Sequence, residues 1–236
     1  MTPGCGVFEW RRYALHAGAR ETLIELFERE FVESQEAVGA RVLGTFRDMQ
    51  DPDSFVWLRG FADMVARRQA LEAFYGGPIW ARHRDVANAT MIDSDNVLLL
   101  RPLNERSRLP LDPARRPPVG AASSERPTVA VTVCPLIPGQ SAAVARRFDV
   151  EIEPELRRAG AIVRAAFITD HSENDYPALP VRAGEEVLLW LSAFPQGAAS
   201  SNHFVGLDLR ALLADQLAGG PEVSWLEPTS RSLLPD

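Results

Sequence analysis

The chain has 236 residues, 46% apolar and 24% charged, the make-up of an ordinary globular protein with room for one large or two small domains. Its net charge of −7 argues against non-specific nucleic-acid binding and against docking on anionic membranes. No apolar run approaches the roughly 20 residues of a membrane helix, the first residues lack an apolar signal-peptide core, and Cys5 and Cys134 show no CxxC spacing, so they read as free thiols of a cytoplasmic protein.

Residues 7–15 alternate loosely and predict a strand. Residues 18–38 predict a helix: Leu23, Leu26, Phe27, Phe31 and Val38 form an apolar stripe, and Glu21, Glu25, Glu28, Arg29, Glu33 and Glu36 the wet face. Gly39 suits its C-cap. Residues 41–46 and the aromatic, branched run 55–61 predict two strands joined by a polar turn. Asp63 can cap the next helix, in which Met64, Leu71 and Phe74 recur at helical spacing and Arg67, Arg68, Gln69 and Glu72 are assigned to the other side. Gly76-Gly77-Pro78 breaks it, and residues 80–89 resume as a second helical piece. After Asp93-Ser94-Asp95-Asn96, read as a turn, residues 97–100 predict a strand. The order is β-α-β-β-α-β, the ferredoxin-like pattern.

That order returns after residue 127, with strands expected at 128–136, 161–169, 186–194 and 223–226 and helices at 140–159 and 204–218. Leu15-x-x-Gly18 matches Leu136-x-x-Gly139, Gly39-Ala40 and Phe46 match Gly160-Ala161 and Phe167, and Trp57-x-x-x-Phe61 matches Trp190-x-x-x-Phe194. The second copy has a longer hairpin, residues 170–184. The expected organisation is a first ferredoxin-like repeat over 1–102, a proline-rich linker over 103–127, extended on the surface with solvated arginines, and a second repeat over 128–236. Strands such as 55–61 are apolar on both faces, whereas a ferredoxin-like sheet has helices on one face only. Two such sheets facing each other supply the missing cover. The fold class is therefore α+β, two tandem repeats forming a pseudo-twofold α+β barrel with helices outside. One chain completes its own barrel; association through the remaining edges is compatible with this but not required for folding.

The segments VFEWRRYAL, GTF, VWLRGFAD followed by ARRQAL, PIW and VLLLRP, spread over residues 7–102, resemble the NIPSNAP domain of the dimeric α+β barrel superfamily. Over residues 128–228 only the architecture is similar, because the arginine after the third strand and the PxW element are missing. The resemblance implies an α+β barrel. Through the wider superfamily it implies small-metabolite chemistry of the kind done by cofactor-free monooxygenases of polyketide quinones, polyketide cyclases, lactone isomerases or haem enzymes.

No P-loop, GxGxxG, GxSxG, HExxH or metal-type cysteine spacing is present, and neither a metal nor a cofactor is predicted. What singles out the first copy is a set of polar and aromatic residues that the second lacks: Tyr13 faces Cys134 in the alignment, Arg12 faces Val133, Arg59 faces Ser192, and Trp80, His83 and Asp85 have no counterparts. The expected site takes His83 as a base, since histidine titrates near neutrality, Arg59 as an oxyanion or carboxylate grip and Tyr13 as a hydroxyl donor. Trp57, Trp80, Tyr75 and Arg12 complete it as ligand contacts. Each has a plainer reading: Arg59 in a structural ion pair, Tyr13 and Trp80 in the core, His83 at the surface. The function expected is binding, with cofactor-free transformation, of a small apolar or aromatic, polyketide-like metabolite in a cleft of the first copy. The alternatives are a non-catalytic scaffold with a fully packed barrel, and a haem protein with His83 or His203 as axial ligand.

Overall fold

The computed structural model describes residues 4–121, 126–194, 209–213 and 215–234. Strands β1 (Val7–Leu15), β2 (Arg41–Asp48), β3 (Ser54–Phe61) and β4 (Met91–Pro102) come from the first half, and β5 (Thr128–Pro135), β6 (Ile162–Thr169), β7 (Val187–Phe194) and β8 (Glu222–Pro228) from the second. They form one closed barrel in the order β1-β3-β2-β8-β5-β7-β6-β4, with every neighbouring pair antiparallel. The halves therefore pair edge to edge as well as face to face. The seams are short: Phe46 to Asp48 along Leu226 to Pro228, and Leu100 to Pro102 along Phe167 to Thr169. Closure leaves no sheet edge open.

Strand alternation sorts the side chains into two layers. Phe8, Trp10, Val56 and Leu58 point inward and meet Val129, Val131, Leu189 and Leu191 in the barrel core, where the Phe8 and Phe167 rings lie 4.7 Å apart. Tyr13, Phe55 and Trp57 point outward, beneath the helices of the first half. Ala130, Cys134, Leu188 and Trp190 do the same in the second.

The predicted helix over 18–38 is α1 (Arg20–Leu26) and α2 (Val32–Ala37) joined by a π-helical turn, Phe27–Phe31. The second half repeats the device with α5 (Ser141–Arg147), a π-turn at Phe148–Ile152 and α6 (Glu153–Arg158). Helix α3 (Met64–Tyr75) is capped by Asp63, whose carboxylate accepts the Ala66 N–H at 2.8 Å. Gly76 and Gly77 end it, and Pro78 opens α4 (Pro78–Asn88). Of the helix expected at 204–218, α7 (Leu209–Leu212) forms, whereas Asp215 to Ala218 are not helical and Leu217 bridges to Leu136 instead; residues 204–208 and 214 lie outside the described residues.

Three expectations need correction. Asp93 to Asn96 are not a turn but the start of β4, pairing with the exposed end of β1 through Asp93 to Ala14 and Asn96 to Arg12. The linker is not merely extended: 3₁₀ turns at Glu105–Arg108 and Pro113–Arg115 fold it down, and Leu109 is buried against the barrel core. Its arginines are not all solvated, because Arg116 is nearly fully buried, pairing with Glu36 at 2.7 Å and donating to the Val42 carbonyl at 2.6 Å. Both cysteines are free and buried, and burial pushes the Cys5 thiol to about 11 and the Cys134 thiol to about 12. Among the described residues no helix is long and apolar enough to cross a membrane.

Candidate functional site

The outward face of β1 carries Glu9, Arg11 and Tyr13 at every second position, and the register sets Glu9 opposite Arg59 and Arg11 opposite Trp57 on β3. Glu9 is fully buried and is the centre of an ion cluster. Its Oε2 accepts from Arg11 Nη1 at 2.8 Å and from Arg59 Nε at 2.8 Å, and its Oε1 accepts from Arg67 Nε at 2.7 Å. Arg59 Nη2 also lies 2.6 Å from Glu9 Oε2, an ion contact without hydrogen-bond alignment. Burial alone would raise the Glu9 carboxyl, but Arg59, Arg11 and Arg67 together hold it well below the usual carboxylate range.

The cluster reaches outward in three directions. Arg59 Nη1 donates to Gln35 Oε1 at 2.9 Å, and Gln35 in turn donates to the Phe31 carbonyl at 3.0 Å, at the end of the π-turn. Such turns recur at functional sites. Arg67 reaches the hairpin of the second half, donating to Asp175 Oδ1 at 2.6 Å and to Asn174 Oδ1 at 3.1 Å. Arg11 Nε donates to the Tyr13 hydroxyl at 3.0 Å. Burial raises the Tyr13 hydroxyl pKa against the pull of Arg11, so Tyr13 stays protonated at neutral pH.

Tyr13 and Gln35 open from this cluster into a cavity of about 30 Å³ walled by Phe31, Trp57, Phe74, Tyr75, Trp80 and Met91. The volume fits a water or two. Trp80 closes the outer side, its ring 5.0 Å from Tyr75, 5.6 Å from Phe31 and 5.9 Å from Phe74. It stands on α4, whose one fully buried residue is Ala87. The hairpin of the second half adds Tyr176, stacked on Tyr75 at 6.1 Å.

Of the residues selected from the sequence, Tyr13, Trp57, Tyr75 and Trp80 come together at the cavity. Arg59 lies behind its wall, its guanidinium 5.0 Å from the Trp57 ring centroid, in the buried ion pair that was its plainer reading. His83 sits on the rim, 3.6 Å from Glu30, its ring 6.3 Å from Phe31. Arg12 is not brought to this site. Alternation turns it into the barrel mouth, where it pairs with Asp48 at 2.6 Å and lines a cleft of about 300 Å³ with Trp10, Leu98, Val133 and Glu222. Sequence reasoning missed Glu9, Arg11, Gln35, Arg67 and Asp175. The available signal was Glu9-x-Arg11-x-Tyr13, three polar residues on one face of a strand with no equivalent in Ala130, Thr132 and Cys134. At about 30 Å³ the cavity as it stands admits neither a porphyrin nor a metabolite, His83 is not part of its wall, and His203 lies outside the described residues.

No family model matches the sequence, and no curated protein matches it. Solved structures do. A candidate monooxygenase from Fusobacterium nucleatum is similar over 95% of this chain and 93% of its own, with a TM-score of 0.57 and 12% identity. An anthrone oxidase-like protein is similar over 97% of this chain and 94% of its own, with a TM-score of 0.54 and 12% identity. The fold is the α+β barrel. NIPSNAP proteins are also among the structural neighbours: a NIPSNAP domain protein from Burkholderia xenovorans aligns over 41% of this chain and 93% of its own, with a TM-score of 0.38 and 18% identity. At 12% identity the full-length likeness is one of fold.

Proposed function

We propose that the protein binds a small aromatic, polyketide-like metabolite in the first-half cavity and transforms it without a bound cofactor. The observation that carries this reading is the pairing of an aromatic-walled cavity with a protonated Tyr13 hydroxyl whose oxygen is already engaged by Arg11. Tyr13 contacts the ligand, Trp57, Tyr75 and Trp80 stack on it, and Arg59 positions Trp57 and Gln35. His83 acts from the rim. The 30 Å³ cavity is too small for a metabolite, so entry requires α4 to swing outward about Gly76 and Gly77, carrying Trp80 with it. The single fully buried residue of α4 supports that movement. The barrel-mouth cleft is larger, but its cations are already paired, Arg12 with Asp48 and Arg182 with Glu185.

The two halves act in this reading as tandem copies of one ferredoxin-like unit, 1–102 and 128–236 joined by 103–127, with the second copy covering the sheet of the first. Two free, buried thiols support residence in a reducing cytoplasm. The small cavity volume also favours a second reading, a packed scaffold without a ligand. Anthrone separates them. The expected result is quenching of tryptophan emission by anthrone, with oxygen uptake and anthraquinone formation faster than in buffer, both reduced in Tyr13→Phe. Neither binding nor turnover would leave the scaffold reading.

A further inference from the structure

The ion cluster does not balance. Arg11, Arg59 and Arg67 are each at most 1% exposed, and the carboxylates within ion-pair distance of them among the described residues are Glu9 and Asp175. With Glu9 ionised, three guanidinium charges face two carboxylate charges. A surplus cation held out of water costs free energy unless something compensates it.

Two donors belong to side chains of the cavity wall. The Tyr13 hydroxyl makes one hydrogen bond, as acceptor from Arg11, which leaves its own proton available. The Trp57 indole N–H is buried in the cavity wall without a partner among the described residues. Trp190, opposite Thr132 in the matching register of the second half, is likewise unpartnered but packs among Ala130, Phe148 and Leu156. Trp57 instead has the guanidiniums of Arg11 and Arg59 at 5.5 and 5.0 Å from its ring. The cavity wall thus contains donors backed by net positive charge, and Gln35 Oε1, a polar acceptor of that wall, is occupied by Arg59.

We infer that the ligand is an aromatic acid bound as its anion, its oxygen on Tyr13 and Trp57 and its charge balanced by the Arg11, Arg59 and Arg67 cluster. The inference rests on the reading of the cavity as an aromatic-metabolite site and adds the charge of what it takes. Asp175 sets the strength of the effect from the other half of the chain, because it neutralises Arg67.

The test is calorimetric titration of the full chain with a matched pair, 2-naphthoate and 2-naphthalenemethanol, equal in rings and different in charge. The wild type is expected to bind the naphthoate about tenfold or more tightly than the alcohol. Asp175→Asn keeps an acceptor for Arg67 while raising the cluster charge, so it should widen that ratio a further ~3-fold or more, chiefly by tightening the naphthoate. A residue that merely held the hairpin in place would weaken both probes together. Tyr13→Phe should shrink the ratio. If both probes bind with equal affinity, or the alcohol binds better, the charge inference is wrong while the aromatic-site reading stands. If neither binds, the aromatic-site reading falls and the inference with it.

Discussion

The helix-facing surfaces of the two halves share a scaffold and differ in filling. In matching register, Glu9 opposite Arg59 becomes Ala130 opposite Ser192, and Arg11 opposite Trp57 becomes Thr132 opposite Trp190. Both halves keep the π-turn over the sheet and the tryptophan beneath it. The second half closes this layer with apolar side chains such as Cys134, Leu156 and Phe148. The first half spends the same space on a buried carboxylate and three buried guanidiniums. A buried ion cluster is no more stabilising than well-packed apolar residues of similar volume, and is often less so. The second half shows that this scaffold folds around the apolar solution, so folding alone does not call for the charges of the first.

The sharpest break in the comparison comes from substituting one position in each half. Arg59→Ala removes one of the three cations on Glu9 and strands Gln35 Oε1, so it should cost about 3–5 kcal/mol, the usual penalty for breaking a buried pair. Ser192 occupies the matching place, and its hydroxyl is buried without a partner among the described residues. Ser192→Ala should therefore be neutral or stabilising by up to about 1–3 kcal/mol. Urea unfolding of both variants measures the difference directly. Equal losses at the two sites would mean that the halves are energetically alike despite their chemistry.

A smaller effect is expected at Asp175. It is a quarter exposed, while its partner Arg67 is fully buried. Asp175→Ala leaves Arg67 with Glu9 and Asn174, so a loss of about 1–3 kcal/mol is expected, below that of Arg59→Ala. Hydrogen exchange should locate it, with faster exchange in α3 and in the hairpin around Tyr176, and none in α5 or α6. Uniform acceleration through both halves would show that the contact holds the whole barrel together rather than one site.

The barrel was legible in a residue pattern that recurs along the sequence. Leu15, Gly18, Gly39 and Phe46 recur as Leu136, Gly139, Gly160 and Phe167, and the strands announce burial on both faces, which only a second sheet satisfies. Tyr13 and Arg59 were visible as polar residues in apolar strands. Arg67 was not. It was assigned to the wet side of α3, yet it lies three residues after Met64 and four before Leu71, on the stripe those residues define, and is fully buried. Its partners, Glu9 and Asp175, are 58 and 108 residues away, a distance that periodicity does not reach. Arg12 failed for the opposite reason. It neighbours Tyr13 in sequence, but the period of two in a strand sends the two side chains to opposite faces of the barrel wall.

The smallest effect is expected at His83, which the sequence offered either as a base or as a surface histidine. Its nearest charged partner, Glu30, is 3.6 Å away, and the two side chains are 20% and 26% exposed. Pairs this open to solvent contribute about 0–1 kcal/mol. The imidazole meets the edge of Phe31 but is not part of the cavity wall. His83→Ala should therefore shift urea stability by less than about 1 kcal/mol, while Trp80→Ala, which opens the cavity, changes affinity for 2-naphthoate. Should anthrone turnover collapse in His83→Ala with naphthoate affinity and stability intact, the rim histidine reaches the reacting atoms once α4 has moved. It would then be a catalytic base of the first half, placed there by the movement of α4.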